Sequence, residues 1–102
     1  MTTPQNITAI IYDKRGKVLA IGKNSYVKTH PLQSKTAKRV GLPNKEFLHA
    51  EIAAIVKCQD LSRAKRILVI RINRAGKTLL AKPCAVCQAA LKDAGIKIVD
   101  HT

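Results

Sequence analysis

Tryptophan is absent and aromatic residues are scarce: Tyr12, Tyr26 and Phe47 make up the whole set, 3% of 102 residues. A surface that grips single strands by stacking bases on aromatic rings is therefore poorly supplied. No apolar run approaches the ~20 residues of a membrane-spanning helix, so no membrane is expected as a partner. The opening Met1-Thr2-Thr3-Pro4-Gln5-Asn6 lacks the basic-then-apolar layout of a secretory signal, and the expectation is a cytoplasmic protein. Glycine and proline number only five and four, against 46% hydrophobic residues, which excludes a disordered chain. There is no internal repeat and no low-complexity segment. Three cysteines cannot all pair with one another. Without an export signal, Cys84-x-x-Cys87 reads as a metal or redox site rather than a disulfide.

Acidic residues are also few. Six Asp and Glu stand against nineteen Lys and Arg, a formal charge of +13. The surface is broadly positive, which favours an anionic partner: nucleic acid, nucleotide phosphate or, less readily, a lipid headgroup. The basic residues are spread along the chain. Clusters such as Lys35/Lys38/Arg39, Arg63/Lys65/Arg66 and Arg71/Arg74/Lys77 are also what ordinary solvated faces look like. The length suits one domain over residues 1–102, with a modest core that a bound metal or self-association into a homo-oligomer would support.

The runs 7–12 and 17–22 read as strands, and Asp13-Lys14-Arg15-Gly16 between them makes a hairpin turn. Residues 24–45 are polar, with Pro31, Gly41 and Pro43 expected to break any regular element. A loop of that length in a small domain is more often functional than idle. A helix is predicted over 47–59, where Leu48, Ile52, Ile55 and Val56 recur at helical spacing. The continuous apolar run 67–72 suits a central strand. After a turn at 73–77, residues 78–81 extend or pair with that strand. A second helix opens after Pro83 and runs to about Asp93, with Gly95 as its stop. Residues 96–99 form a last strand. The order β-β-α-β-α-β makes an α/β domain of two or three layers with a mixed sheet of about four strands.

Both helices carry their informative residues in the first turn. Cys84 and Cys87, at i and i+3, lie on the same side of a helix and can grip one ion. Pro83 suits the helix start, because its missing N–H has no intrahelical partner there. Helix N-termini favour anions and so stabilise both thiolates. With His49 they make three ligands, one imidazole and two thiolates, and leave Zn2+ a fourth position open for water. That is the pattern of a catalytic rather than a structural zinc. Glu51, two residues after His49, need not bind the ion. It can reach the water instead, whose pKa the metal lowers toward neutrality, and take its proton. The same carboxylic acid can then return protons to a ring nitrogen and a departing ammonia.

His49-Ala50-Glu51 followed by Pro83-Cys84-x-x-Cys87 resembles the cytidine and deoxycytidylate deaminase superfamily of zinc-dependent enzymes. The resemblance runs from the first hairpin to the last strand. It implies a cytidine deaminase-like three-layer fold whose two main helices carry the zinc site. It also implies His49, Cys84 and Cys87 as zinc ligands and Glu51 as the proton shuttle. Asn24 occupies the place, just after the second strand, where relatives hold their substrate, and Ala50 and His30 join it as expected substrate contacts. The stretch Asn24-Ser25-Tyr26-Val27-Lys28-Thr29-His30-Pro31 is similar to a loop of phage and viral members. Most relatives continue to a further strand and often another helix, whereas this sequence stops at Asp100-His101-Thr102. Cys58, seven residues after Glu51, reads as a buried core thiol rather than a ligand.

Three functions follow. One is hydrolytic conversion of cytosine to uracil in single-stranded nucleic acid, which the charge supports. Another is deamination of a free nucleotide or nucleoside such as deoxycytidylate or cytidine, or of adenine. The third is a basic, zinc-stabilised nucleic-acid-binding module without catalysis. Glu51 separates the third from the others, since a structural zinc has no use for a carboxylate that does not bind it.

Overall fold

In the computed structural model, which describes residues 6–25, 29–41 and 48–102, the apolar run Asn6–Tyr12 forms β1 and Val18–Lys23 forms β2. Their antiparallel hairpin is closed by Asp13, whose Oδ1 accepts from the backbone N–H groups of Arg15 and Lys17 at 2.9 Å each. Gly16 takes the left-handed conformation that this turn needs (φ 86°). β3 (Arg66–Ile72) lies antiparallel along the other side of β1, with Asn6 opposite Ile72 and Tyr12 opposite Arg66.

The far edge of β3 is shared by two strands. β4 (Thr78–Leu79) pairs antiparallel with Arg71 and Ile72, and β5 (Ile98–His101) pairs parallel with Arg66–Val69. Thr102 joins them: its N–H donates to Val69 O, its carbonyl accepts from Ala81 N, and its hydroxyl donates to Leu79 O. The mixed sheet therefore has five strands rather than about four. The additional one is β4, within the residues 78–81 expected to extend or pair with the central strand. The last strand also begins two residues later than its apolar alternation suggests. Ile96 is turned into the core instead, 4% exposed, with its N–H on Leu91 O.

Among the described residues three α-helices accompany the sheet. α1 (Pro31–Arg39) occupies part of the segment expected to be irregular. Pro31 does not break it: at the first helical position its fixed φ and missing N–H favour helix. His30 caps the same end, its Nδ1 accepting from Leu32 N at 3.0 Å. The buried positions are Gln33, Thr36 and Ala37, so helical spacing is present without an apolar signature. Residues 42–45 of that segment lie outside the described residues, as does Phe47.

α2 (Ala50–Lys57) and α3 (Ala85–Asp93) match the two predicted helices, each with its boundary a little inside. Gly95 ends α3 in the left-handed conformation (φ 79°). On α2, Ile52 and Ile55 are buried as expected but Val56 is 44% exposed. Small residues take over from it: Ala50, Ala53 and Ala54 face inward and let α2 lie close to the sheet. Ala9, Ile11, Ile67 and Val69 on β1 and β3 pack with Ile52 of α2 and Val86 of α3 in one fully buried cluster. Among the described residues no helix is long and apolar enough to cross a membrane.

Candidate active site

His49 is the N-cap residue of α2 and Cys84 that of α3, so both stand where a helix begins. Cys87 follows in the first turn of α3, fully buried. The packing of α2 against α3 brings the three side chains together. His49 Nδ1 stands 3.2 Å from Cys87 Sγ and 3.5 Å from Cys84 Sγ. The candidate ligand atoms of the trio all lie within 4.8 Å of one another. One imidazole nitrogen and two thiol sulfurs on a shared centre are a borderline-soft donor set that suits zinc and leaves a tetrahedral position unfilled.

The electrostatics of the two cysteines are divided. The hydrogen bond from the Cys87 thiol, assisted by His49, lowers Cys84 to about 3, although burial opposes it. Cys87 is pushed up, first by the Cys84 thiolate it serves and then by burial and Glu51. Each cysteine is thus the main influence on the other, and the two resist ionising together. Metal binding draws both to the thiolate form, because thiolates are the ligands.

Glu51 lies in the first turn of α2 and is only 6% exposed. Burial raises its carboxyl above the usual range, against a hydrogen bond from Cys87 that lowers it. It lines a cavity of about 440 Å³ together with His49, Cys84, Asn24 and Ala50. A buried acid beside a soft donor cluster, open to a cavity, is equipped to move protons.

Asn24 follows β2. Its N–H donates to Ile7 O and its Oδ1 accepts from Ile7 N at 3.1 Å, which fixes the residue at the cavity wall. His30 is placed differently: its imidazole caps α1 and is not among the side chains lining that cavity. Tyr26, Val27 and Lys28 of the same loop lie outside the described residues. Cys58, at the C-terminal end of α2, is a core thiol separate from the His49 cluster, as its spacing suggests.

Two supporting residues escape sequence reasoning. Gln33 of α1 is fully buried and its Oε1 accepts from the His49 backbone N–H at 3.2 Å, which ties the ligand-bearing turn to α1. Nothing distinguishes it in sequence from a solvated glutamine beside lysines. Arg71, on β3, lines the cavity with Lys82. In sequence it belongs to an apolar strand followed by a basic cluster, and only the return of the chain through β4 closes a wall around it.

The family described as the cytidine and deoxycytidylate deaminase zinc-binding region matches residues 2–100. No curated protein matches the chain.

Proposed function

The chain belongs to the cytidine and deoxycytidylate deaminase family of zinc-dependent deaminases, and we propose that it hydrolyses cytosine to uracil in single-stranded nucleic acid. The observation that carries this reading is the position of Glu51. A buried carboxyl lines the same cavity as the His49/Cys84/Cys87 cluster and is not one of the trio. A purely structural metal leaves such an acid without a task.

His49, Cys84 and Cys87 hold the zinc, and zinc bound there supplies the Lewis acidity that brings a water's pKa toward neutrality. Glu51 would take one proton from the attacking water as the oxygen bonds to C4 of the base and pass it to the ring nitrogen. It would then take the second proton from the new C4 hydroxyl and pass it to the amino group. The C4–N bond breaks, ammonia leaves, and a carbonyl remains at C4. Burial raises the pKa of Glu51, which makes its carboxylate a better acceptor of a water's proton. Asn24 and Ala50 shape the wall against which the nucleoside rests.

The charge of +13 supports a polyanionic substrate, since phosphate contacts supply most of the affinity for nucleic acid. One observation favours a second reading, a free nucleotide such as deoxycytidylate: the chain has only three aromatic residues on which neighbouring bases could stack. Incubating the zinc-loaded protein with single-stranded DNA, single-stranded RNA, deoxycytidylate and cytidine tests the proposal. Uracil in a polynucleotide supports the first reading and deoxyuridylate alone supports the second. No uracil product from any of them refutes both.

A further inference from the structure

Arg71 is out of place for a strand residue on the sheet face that packs into the core. It shares that face with Val69 and Ile67, two and four positions earlier, both fully buried. Its Nε is shielded from solvent and has no hydrogen-bond partner, and no other side-chain nitrogen or oxygen among the described residues is in that state. Nη1 reaches the Leu80 carbonyl, but at 3.4 Å. The ion pairs among the described residues engage Arg39, Arg63 and Arg66 and leave Arg71 without a carboxylate. Arg71 as a whole is part-exposed, but a guanidinium N–H shielded from water and unanswered is costly and persists where something else supplies the acceptor.

The surroundings narrow what that acceptor is. Arg71 lines the cavity that also receives Glu51, with Lys82 on the same wall. Among the described residues that line it Glu51 is the one acid, and its carboxyl is already assigned to proton transfer. Two cations therefore face the cavity among these residues while their one acid has another task, and a ligand's negative charge answers them. A cytosine ring is neutral and a pentose is neutral; in a nucleotide the charge is on phosphate. The planar guanidinium fork matches phosphate oxygens in pairs. The weak tie to Leu80 leaves the guanidinium free to turn its Nε edge toward the cavity.

We propose that Arg71 binds the phosphate of the nucleotide whose base is deaminated, which makes the substrate a phosphate ester and not a free nucleoside or base. This rests on the deaminase reading of the same cavity. A free nucleotide and a strand both present that phosphate, as a monoester and a diester respectively.

The test uses zinc-loaded protein, with wild type compared to Arg71→Gln and Arg71→Lys. Values of kcat/KM are measured for deoxycytidine, deoxycytidylate and an oligonucleotide with a single cytosine. Dissociation constants are measured alongside for deoxyuridine, deoxyuridylate and an all-thymine oligonucleotide. In wild type the phosphate esters are preferred over the nucleosides. In Arg71→Gln that preference falls about 10- to 100-fold, the loss expected for a charge-assisted hydrogen bond, and in Arg71→Lys it falls less. A drop with deoxycytidylate marks the monoester as the source; a drop with the oligonucleotide alone marks the diester. An unchanged ratio of ester to nucleoside in Arg71→Gln overturns the assignment, even if every rate declines together, because a structural role lowers all of them alike. Should Arg71→Gln fail to fold, Arg71→Lys carries the same comparison. If wild type releases uracil from none of these substrates while Arg71 still governs phosphate binding, the deaminase reading fails and the phosphate site stands.

Discussion

Gly22 of β2 lies directly against the backbone of Ala54 in α2: a methyl group on Gly22 would stand 2.2 Å from Ala54 N and 2.5 Å from Ala50 O. The helix that presents His49 and Glu51 therefore rests on a strand with no side chain between them. Such contact allows no relief by rotamer change, because the obstructing atoms are backbone.

Gly22→Ala is expected to push α2 away from the sheet. Overpacking of this kind destabilises by about 1–3 kcal/mol, and backbone obstruction places Gly22 at the upper end. Urea denaturation of the zinc-loaded protein should show a lower midpoint with an unchanged slope. Zinc affinity should fall as well, since the helix that moves carries a ligand. A midpoint equal to wild type would mean that α2 does not sit on β2 as described.

The cysteines divide into ligands and core. Cys84→Ser and Cys87→Ser should each lose most of the bound zinc and lower the melting temperature, because metal binding and folding are coupled in small domains. Cys58→Ala should keep a full equivalent of zinc while losing some stability through the cavity it leaves. Metal analysis after gel filtration separates these outcomes. Full zinc in both serine variants would remove Cys84 and Cys87 as ligands.

Gln33 acts at one remove. Its Oε1 answers the His49 N–H, so Gln33→Leu leaves that backbone donor unpaired and loosens the turn that aims the imidazole. Outer partners of metal ligands typically matter 10–100-fold in metal affinity. Because Gln33 holds the main chain rather than the ring, a loss of about tenfold is expected, read by competition with a chromophoric chelator. Unaltered affinity would confine Gln33 to packing α1.

The strand and nucleotide readings differ in salt dependence. A polynucleotide groove engages several phosphates, and log affinity for single strands falls with log salt at about −0.7 per phosphate contacted. Michaelis constants for a single-cytosine oligonucleotide and for deoxycytidylate across a salt series should diverge at low salt and converge as salt rises. Parallel curves would favour the free nucleotide.

How much of this was legible beforehand depends on what carries each feature. The His49-x-Glu51 and Cys84-x-x-Cys87 spacings fix side chains within one helical turn, so the zinc site could be read from local geometry. The hairpin at Asp13–Gly16 and the helix stop at Gly95 were equally local. α1 was hidden because its inward face is Gln33, Thr36 and Ala37, residues whose burial leaves no hydropathy pattern. Pro31, expected to break any regular element, is in the structure the first residue of that helix, and His30 before it is the cap. Arg71 was hidden for a different reason. Its isolation depends on β3, β4 and the chain around Leu80 meeting at one wall, and no spacing in sequence records a meeting of that kind.

The most direct test of the account is turnover by zinc-loaded Glu51→Gln. The amide keeps the volume of the side chain and cannot accept a proton from water. Loss of a positioned general base typically costs ~10²–10⁴-fold, and Glu51 is assigned more than one proton in the cycle. The account predicts a variant with a full equivalent of zinc, wild-type circular dichroism and uracil formation at least a hundredfold slower on the true substrate. A variant that keeps its zinc and more than a tenth of the wild-type rate would contradict it.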